Sequence, residues 1–429
     1  MPRTVDLHSA VSQLDAQIPG SKGLAQGRID LSRPLSPGEI GVLAILNSPD
    51  LRALRGGRAL AQAQLLQNSL LPNPSGTINY EALLGGEGTG PAWAVSLTED
   101  INALVTYHAR AKAARLAADQ VDADQLWQQW QAAQQARLLA VDLYWGGQAI
   151  ATSEREGALI ESEIRDVRKA VDANNLDYSA LSPLLANQAS LEQSLVALRT
   201  SQLTAWQGLD ALLGLKPDVR FALAPPDALP DLTDVDALVD SLPQRRPDLI
   251  ALQLGLRSSD ESVRAALLGR FPKFVLGPIW EEDTTKIRSA GPTATFDLPI
   301  FDRNQGQVAI ARATREQLLE QYQARLDATV GQVRGLLALE QRTVEDLQGV
   351  RAAGETATQL SSNAQHAYHD GNIDLRTLTD FQTAALERSL EITTLERTLA
   401  ETQVSLAVDL GLGLPTTSLL TPAPPLRGT

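Results

Sequence analysis

Hydrophobic positions along the chain keep two rhythms, and each rhythm occurs twice. Short segments alternate apolar and polar residues. In Gly76–Ala82, Ile78, Tyr80 and Ala82 share a face opposite Thr77, Asn79 and Glu81. In Ala92–Thr98, Trp93, Val95 and Leu97 oppose Ser96 and Thr98. In Thr293–Leu298, Ala294, Phe296 and Leu298 oppose Thr293, Thr295 and Asp297. A period of two predicts strands. A further segment, Lys273–Glu282, alternates poorly and carries Pro278. A mid-strand proline points to an edge or a bulge. The loops Leu84–Gly90 and Glu281–Lys286 are polar, so each pair of segments predicts a hairpin with one apolar and one polar face.

The second rhythm is helical. Proline-free runs extend from Ala92 to Ser182 and from Ile300 to Leu414. Leu191, Leu195, Leu198, Trp206, Leu209 and Leu213 fall near a 3.5-residue repeat, as do Leu386, Leu390, Leu395, Leu399, Leu406 and Leu410. That repeat marks coiled-coil or bundle packing. Turn residues interrupt each long helical stretch once, at Asn174–Tyr178 and at Asp370–Asp374, and predict helical hairpin tips. A helix from Phe301 to His369 would be on the order of 100 Å long, a length suited to a rod or tube. Shorter lead-in helices are predicted from Ser36 to Leu71 and from Asp234 to Arg270, each ending before a proline. Lys216–Pro243 is rich in Pro, Asp and Ala and reads as an external connector.

The order of these elements repeats. Ser48-Pro49-Asp50-Leu51 returns as Arg246-Pro247-Asp248-Leu249, and Leu71-Pro72 as Phe271-Pro272. Asn175-Leu176-Asp177 returns as Asn372-Ile373-Asp374, and Leu213-Gly214-Leu215 as Leu412-Gly413-Leu414. The offset stays near 198, the distance from position 48 to 246. Such self-similarity reads as an internal duplication. The expected organisation is an N-terminal extension over 1–35, a first repeat over 36–214 and a connector over 215–243. A second repeat covers 244–414 and a C-terminal tail 415–429. Strand hairpins fall at 74–99 and 272–301, and tips near 174–178 and 370–374. The fold class is mainly α with a small β part.

Composition narrows the function. The 429 residues are 43% hydrophobic and 4% aromatic, with net charge -14. That charge argues against nucleic acid as a partner, which needs a basic footprint. The chain has no cysteine, which removes disulfides, thiolate metal sites and a Cys nucleophile. No apolar stretch is long enough for a transmembrane helix. The start, Met1-Pro2-Arg3-Thr4-Val5-Asp6, lacks the basic-then-apolar pattern of a leader. It is read as a chain that begins after processing. Gly85-Gly86-Glu87-Gly88 lies between strands rather than before a helix, so no phosphate loop forms. With no HExxH motif and no recognisable triad, the chain is not expected to be an enzyme.

Several local motifs carry a resemblance. Leu70-Leu71-Pro72-Asn73-Pro74 opens the first hairpin, and Leu298-Pro299-Ile300-Phe301-Asp302-Arg303-Asn304-Gln305-Gly306 closes the second. With the duplication and the Gly-Leu ends near Gly214 and Gly413, the chain resembles the TolC family of outer-membrane efflux proteins over about Leu35–Pro415. The Pro-Ile-Phe-Asp-Arg-Asn-Gln-Gly stretch is most similar to the branch serving heavy-metal pumps of the RND class. The resemblance implies a homotrimer in which each protomer lends four strands to a twelve-stranded barrel in outer-membrane lipid. It implies a long coiled-coil α-barrel in the periplasm. It further implies docking with a periplasmic adaptor and an inner-membrane RND-type pump, and no cofactor. Many members carry a signal peptide or an N-terminal lipidated Cys, and this chain departs from both.

Site residues follow with their plainer readings beside them. The resemblance puts the family's acidic gate ring at Asp380, with Thr377 at its other acidic position and Asp374 nearby. Asp374 is equally a helix N-cap. His366 and His369 share a helix face at i, i+3, where they either bind a transition metal or simply end an exposed helix. Adaptor contact would fall on Asn174, Asn175, Leu176 and Asp177, with Gly371, Asn372 and Ile373. These residues also suffice to make the turns. Two further functions compete with the duct. One is a soluble coiled-coil scaffold or tether capped by a small β-layer. The other is a metal-binding periplasmic protein using the histidine pair.

Overall fold

A computed structural model describes residues 33–217, 219–226 and 234–412. Most of the N-terminal extension, the C-terminal tail and the Gly413-Leu414 motif lie outside these residues. The described chain is mainly helical with one small antiparallel sheet. In order, the elements are α1 (Pro37–Asn47), α2 (Pro49–Asn68), β1 (Ser75–Glu81), β2 (Ala92–Asp100) and α3 (Ile101–Asp172). A 3-10 turn at Tyr178–Ala180 leads to α4 (Leu181–Leu213), α5 (Val235–Asp240), α6 (Leu242–Arg245) and α7 (Pro247–Leu268). Then come β3 (Phe274–Glu282), β4 (Arg288–Phe296), α8 (Gln305–His369) and α9 (Leu375–Asp409). Two compact units divide the chain, each assembled from separated stretches of sequence.

Each expected lead-in helix is broken. The first is α1 and α2, parted at Ser48 (φ -51°, ψ 126°). The second is α5, α6 and α7, with Arg246 (φ -83°, ψ 123°) before Pro247. A residue before proline is pushed out of the helical region, and the proline then starts a new helix. Both breaks fall within the repeated motif, at equivalent positions.

The unit made of 54–126 and 247–327 contains the sheet. Its strand order is β1-β2-β3-β4, antiparallel throughout. The two hairpins are therefore zipped into one sheet through β2 and β3. β4 starts at Arg288, earlier than the alternation alone indicates. The reason is a tight turn in which Asp283 Oδ1 accepts from the backbone N–H groups of Thr285 and Ile287. Pairing then begins at once, with Glu282 opposite Arg288. β4 tolerates Pro292 because one side of it is an open edge.

Pro278 does not sit on an edge, since β3 is flanked on both sides. The proline has no N–H to give, and pairing with β2 lapses between Ser96↔Ile279 and Glu99↔Leu276 without a change of register. Gly277 occupies the same gap. A Cβ there would stand 1.8 Å from the Leu97 carbonyl oxygen, so only glycine fits. Below the sheet, α3 and α7 pack through small residues. Ala109, Ala113, Gly255 and Ser259 are buried, and Ser258 Oγ donates to the Ala113 carbonyl at 2.8 Å.

The second unit holds the remaining helices. One core joins Ile40 and Leu43 of α1, Ala136 and Ala140 of α3, and Leu209 and Leu213 of α4. A matching cluster joins Val333 of α8 with Leu406 and Leu410 of α9, flanked by Leu238 of α5. Position 136 and position 333 are 197 apart, as are 209 and 406, and 213 and 410. Gly214 (φ 64°) and Gly411 (φ 69°) share that spacing, both left-handed directly after a long helix. The repeat of Leu213-Gly214-Leu215 is thus structurally Leu410-Gly411-Leu412, two residues earlier than the sequence alignment has it. At the head of the second half, the buried Arg246 donates to Asp409 at 3.0 Å and lies 4.5 Å above the Trp127 ring.

Candidate functional site

Antiparallel partners point to the same side of a sheet, so the register assigns the faces. One face carries Ile78 and Tyr80 of β1, Trp93, Val95 and Leu97 of β2, and Phe274, Leu276, Pro278 and Trp280 of β3. Ala290, Pro292, Ala294 and Phe296 of β4 complete it. The other face carries Thr77 and Asn79, Ser96 and Thr98, and Ser289, Thr293 and Thr295. The apolar face is bare in the single chain: Ile78 is 79% exposed, Tyr80 69% and Phe296 55%.

Aromatic rings stand at both ends of this face. Tyr80 pairs with Trp93, and Trp280 pairs with Val95. At the other end Phe274 faces Phe296 with ring centroids 6.1 Å apart. Six residue steps along β3 lead from Phe274 to Trp280, roughly 20 Å at about 3.3 Å per residue. Membrane barrels carry an apolar band of this kind, flanked by aromatic girdles, on their outer surface. The rings were individually visible in the sequence. Their grouping at two levels requires the register, and a strand-by-strand tally of aromatic positions would have found it.

The helix tips share one construction. In the first, Asn174 is left-handed (φ 54°), its N–H donates to the Val171 carbonyl, and Asn175 N–H donates to the Ala170 carbonyl. In the second, Gly371 (φ 76°) and Asn372 make the same two bonds to Tyr368 and Ala367. This is the Schellman termination. Each turn ends on an aspartate cap. Asp177 accepts from Ser179 N–H, and Asp374 from Thr377 N–H, both at 2.8 Å. The backbone N–H of Ser179 holds Asp177 below the usual carboxylate range. Bonds from the Thr377 side chain and backbone do the same for Asp374.

Asn174, Asn175, Leu176 and Asp177 are exposed, as are Gly371 and Asn372. Ile373 packs against the tip cluster. On α9, Leu375, Leu378, Thr379 and Gln382 form the buried stripe, whereas Asp380 is exposed and Thr377 half-buried. Asp380 lies about half a turn round from that stripe. His366 and His369 are exposed, with His369 Nδ1 3.9 Å from Asp370. Among the described residues, no group of three or more His, Cys, Asp or Glu could hold a metal ion. No described helix is long and apolar enough to cross a membrane.

Residues 238–412 match the family model described as Outer membrane efflux protein. Over these residues, less than half of its length, the chain is similar to outer-membrane efflux proteins. The chain is also similar to the outer membrane protein OprJ of Pseudomonas aeruginosa, 26% identical over 236 residues, which are 52% of this chain and 48% of OprJ. It thus spans about half the length of that curated relative. The fold is similar to CusC, a protein whose structures concern transmembrane channel formation (TM-score 0.75, 16% identity, 91% of this chain and 96% of CusC). It is also similar to the Campylobacter jejuni CmeC outer membrane channel (TM-score 0.71, 15% identity, 87% of this chain and 85% of CmeC).

Proposed function

We propose that the chain is the outer-membrane exit duct of a tripartite efflux system, a passive channel-tunnel for small molecules or metal ions. The observation that carries this reading is the one-sided apolar face of the sheet, ringed by aromatics at both ends. Four strands cannot close a barrel that needs at least about eight. Three copies supply twelve, with lipid outside and the Thr, Ser and Asn face toward water. A homotrimer follows, with the sheet in the outer membrane and the long helices in the periplasm.

The repeated proline breaks, left-handed glycines and capped tips support an internal duplication organised as 36–214 and 244–414 around a connector at 215–243. Each half then contributes one membrane hairpin and one helical hairpin. A periplasmic adaptor docks on Asn174, Asn175, Leu176, Asp177, Gly371, Asn372 and Ile373, and an inner-membrane RND-type pump supplies the energy. Asp380, with Asp374 and Thr377 nearby, forms the gate that narrows the tube. Asp374 serves there mainly by fixing the turn. The histidine pair lies beside this turn and is the place where metal cargo would linger.

Membrane fractionation tests the reading. The expected outcome is that the chain sediments with outer membranes and leaves them, as a trimer, only with detergent. A chain that stays monomeric or dimeric in detergent-free buffer would favour a soluble scaffold instead.

A further inference from the structure

Above the tips, Ile160 and Ile164 of α3, Leu184 and Leu191 of α4 and Leu378 of α9 form an apolar cluster. Two polar side chains meet beside it, Glu163 of α3 and Gln382 of α9. Gln382 is only 8% exposed. Its Nε2 donates to Glu163 Oε1 at 2.6 Å. The two oxygens left over, Glu163 Oε2 and Gln382 Oε1, are both buried and have no hydrogen-bond partner. Both are acceptors, so an ionised Glu163 cannot satisfy either. A proton on Oε2 changes this. It turns Oε2 into a donor, and a bond from it to Gln382 Oε1, beside the bond from Gln382 Nε2 to Glu163 Oε1, would close an acid–amide ring that uses both orphaned atoms.

We propose that Glu163 is held as a neutral acid and that its ring with Gln382 is a proton-dependent latch joining the two helical hairpins. The surroundings agree. Burial pushes the Glu163 carboxyl up, with the Gln382 hydrogen bond acting the other way. Glu156, also on α3, is raised by burial, and further whenever Glu163 is ionised, so a proton on Glu163 relieves the repulsion between them. Tyr368 of α8 is raised by burial and, in the same way, by Glu163 when that carboxyl is ionised. From α4 the cluster receives apolar Leu184 and Leu191, and no cation contributes to the Glu163 shift. A carboxyl raised on folding binds its proton more tightly in the folded state. Its contribution to stability is complete below the ordinary glutamate range and is lost as pH rises through the elevated value. The latch is therefore tight in acid and loosens as pH rises through that elevated value, whether or not the chain forms a duct.

The test compares the full-length protein with Glu163→Gln, which mimics the neutral acid and cannot titrate. Infrared spectra taken between pH 4 and pH 8 should show, in the wild type, a carboxylic-acid C=O band that persists above the ordinary glutamate range of about 4.3. That band should be missing from Glu163→Gln. Thermal midpoints should fall with rising pH in the wild type and fall less in the variant. Because the chain has no cysteine, spin labels at Arg165→Cys and Ala384→Cys give a second readout that leaves Glu163 in place. Their distance distribution should broaden as pH rises. A wild-type spectrum without the extra acid band, or a label distance that ignores pH, would overturn the proposal.

Discussion

Two residues show how much a single position can decide. Gly277 is fixed by contact, since a side chain there would overlap the Leu97 carbonyl. Gly277→Ala should split β2 from β3 and lower the yield of folded sheet, seen as lost heat resistance of the assembled protein. Retained heat resistance would mean that the strands part there without harm. Arg246 is fixed by charge. Arg246→Ala removes one charged donor from Asp409 and uncovers Trp127, at a cost on the order of 3 kcal/mol, measurable by denaturant unfolding. Asp380 is fixed by exposure instead. It supports no packing, so Asp380→Ala should leave stability unchanged and raise single-channel conductance. An unchanged conductance would remove it from the gate.

At the scale of elements, the sheet offers a sharper contrast. Ile78 and Thr77 are neighbours on β1, both exposed in the single chain, yet they belong to opposite faces. In water Ile78→Arg and Thr77→Arg should be equally harmless. In a membrane, Ile78→Arg should cost about 2–4 kcal/mol near the midplane while Thr77→Arg changes little, as read by folding into lipid vesicles. Equal effects would deny the apolar face its lipid contact.

What the sequence disclosed follows the same division. Alternation revealed β1, β2 and the end of β4 because their outer faces are cleanly apolar. It failed on β3, where Val275 and Ile279 are apolar on the opposite face as well. The tips were legible because Asn174, Gly371 and the two aspartates serve local geometry. The breaks at Ser48 and Arg246 were not, although each precedes a proline, because the hydrophobic pattern runs straight through them. Nothing local foretold Glu163 with Gln382, which are 219 residues apart in sequence and meet only when the two helical hairpins pack.

At the scale of the whole molecule, the elements answer different solvents. Helices such as α3, 72 residues long, run on the order of 100 Å and bury narrow stripes against one another. The four strands leave much of their apolar side exposed in the single chain. In the proposed function, copies of this chain close a water-filled pore through the outer membrane. Electrical recording across a planar lipid bilayer tests it most directly. Purified protein should insert and give discrete, long-lived conductance steps of uniform size, cation-preferring as befits a net charge of -14. Protein that binds the bilayer or remains in solution without ever producing such steps would contradict the account.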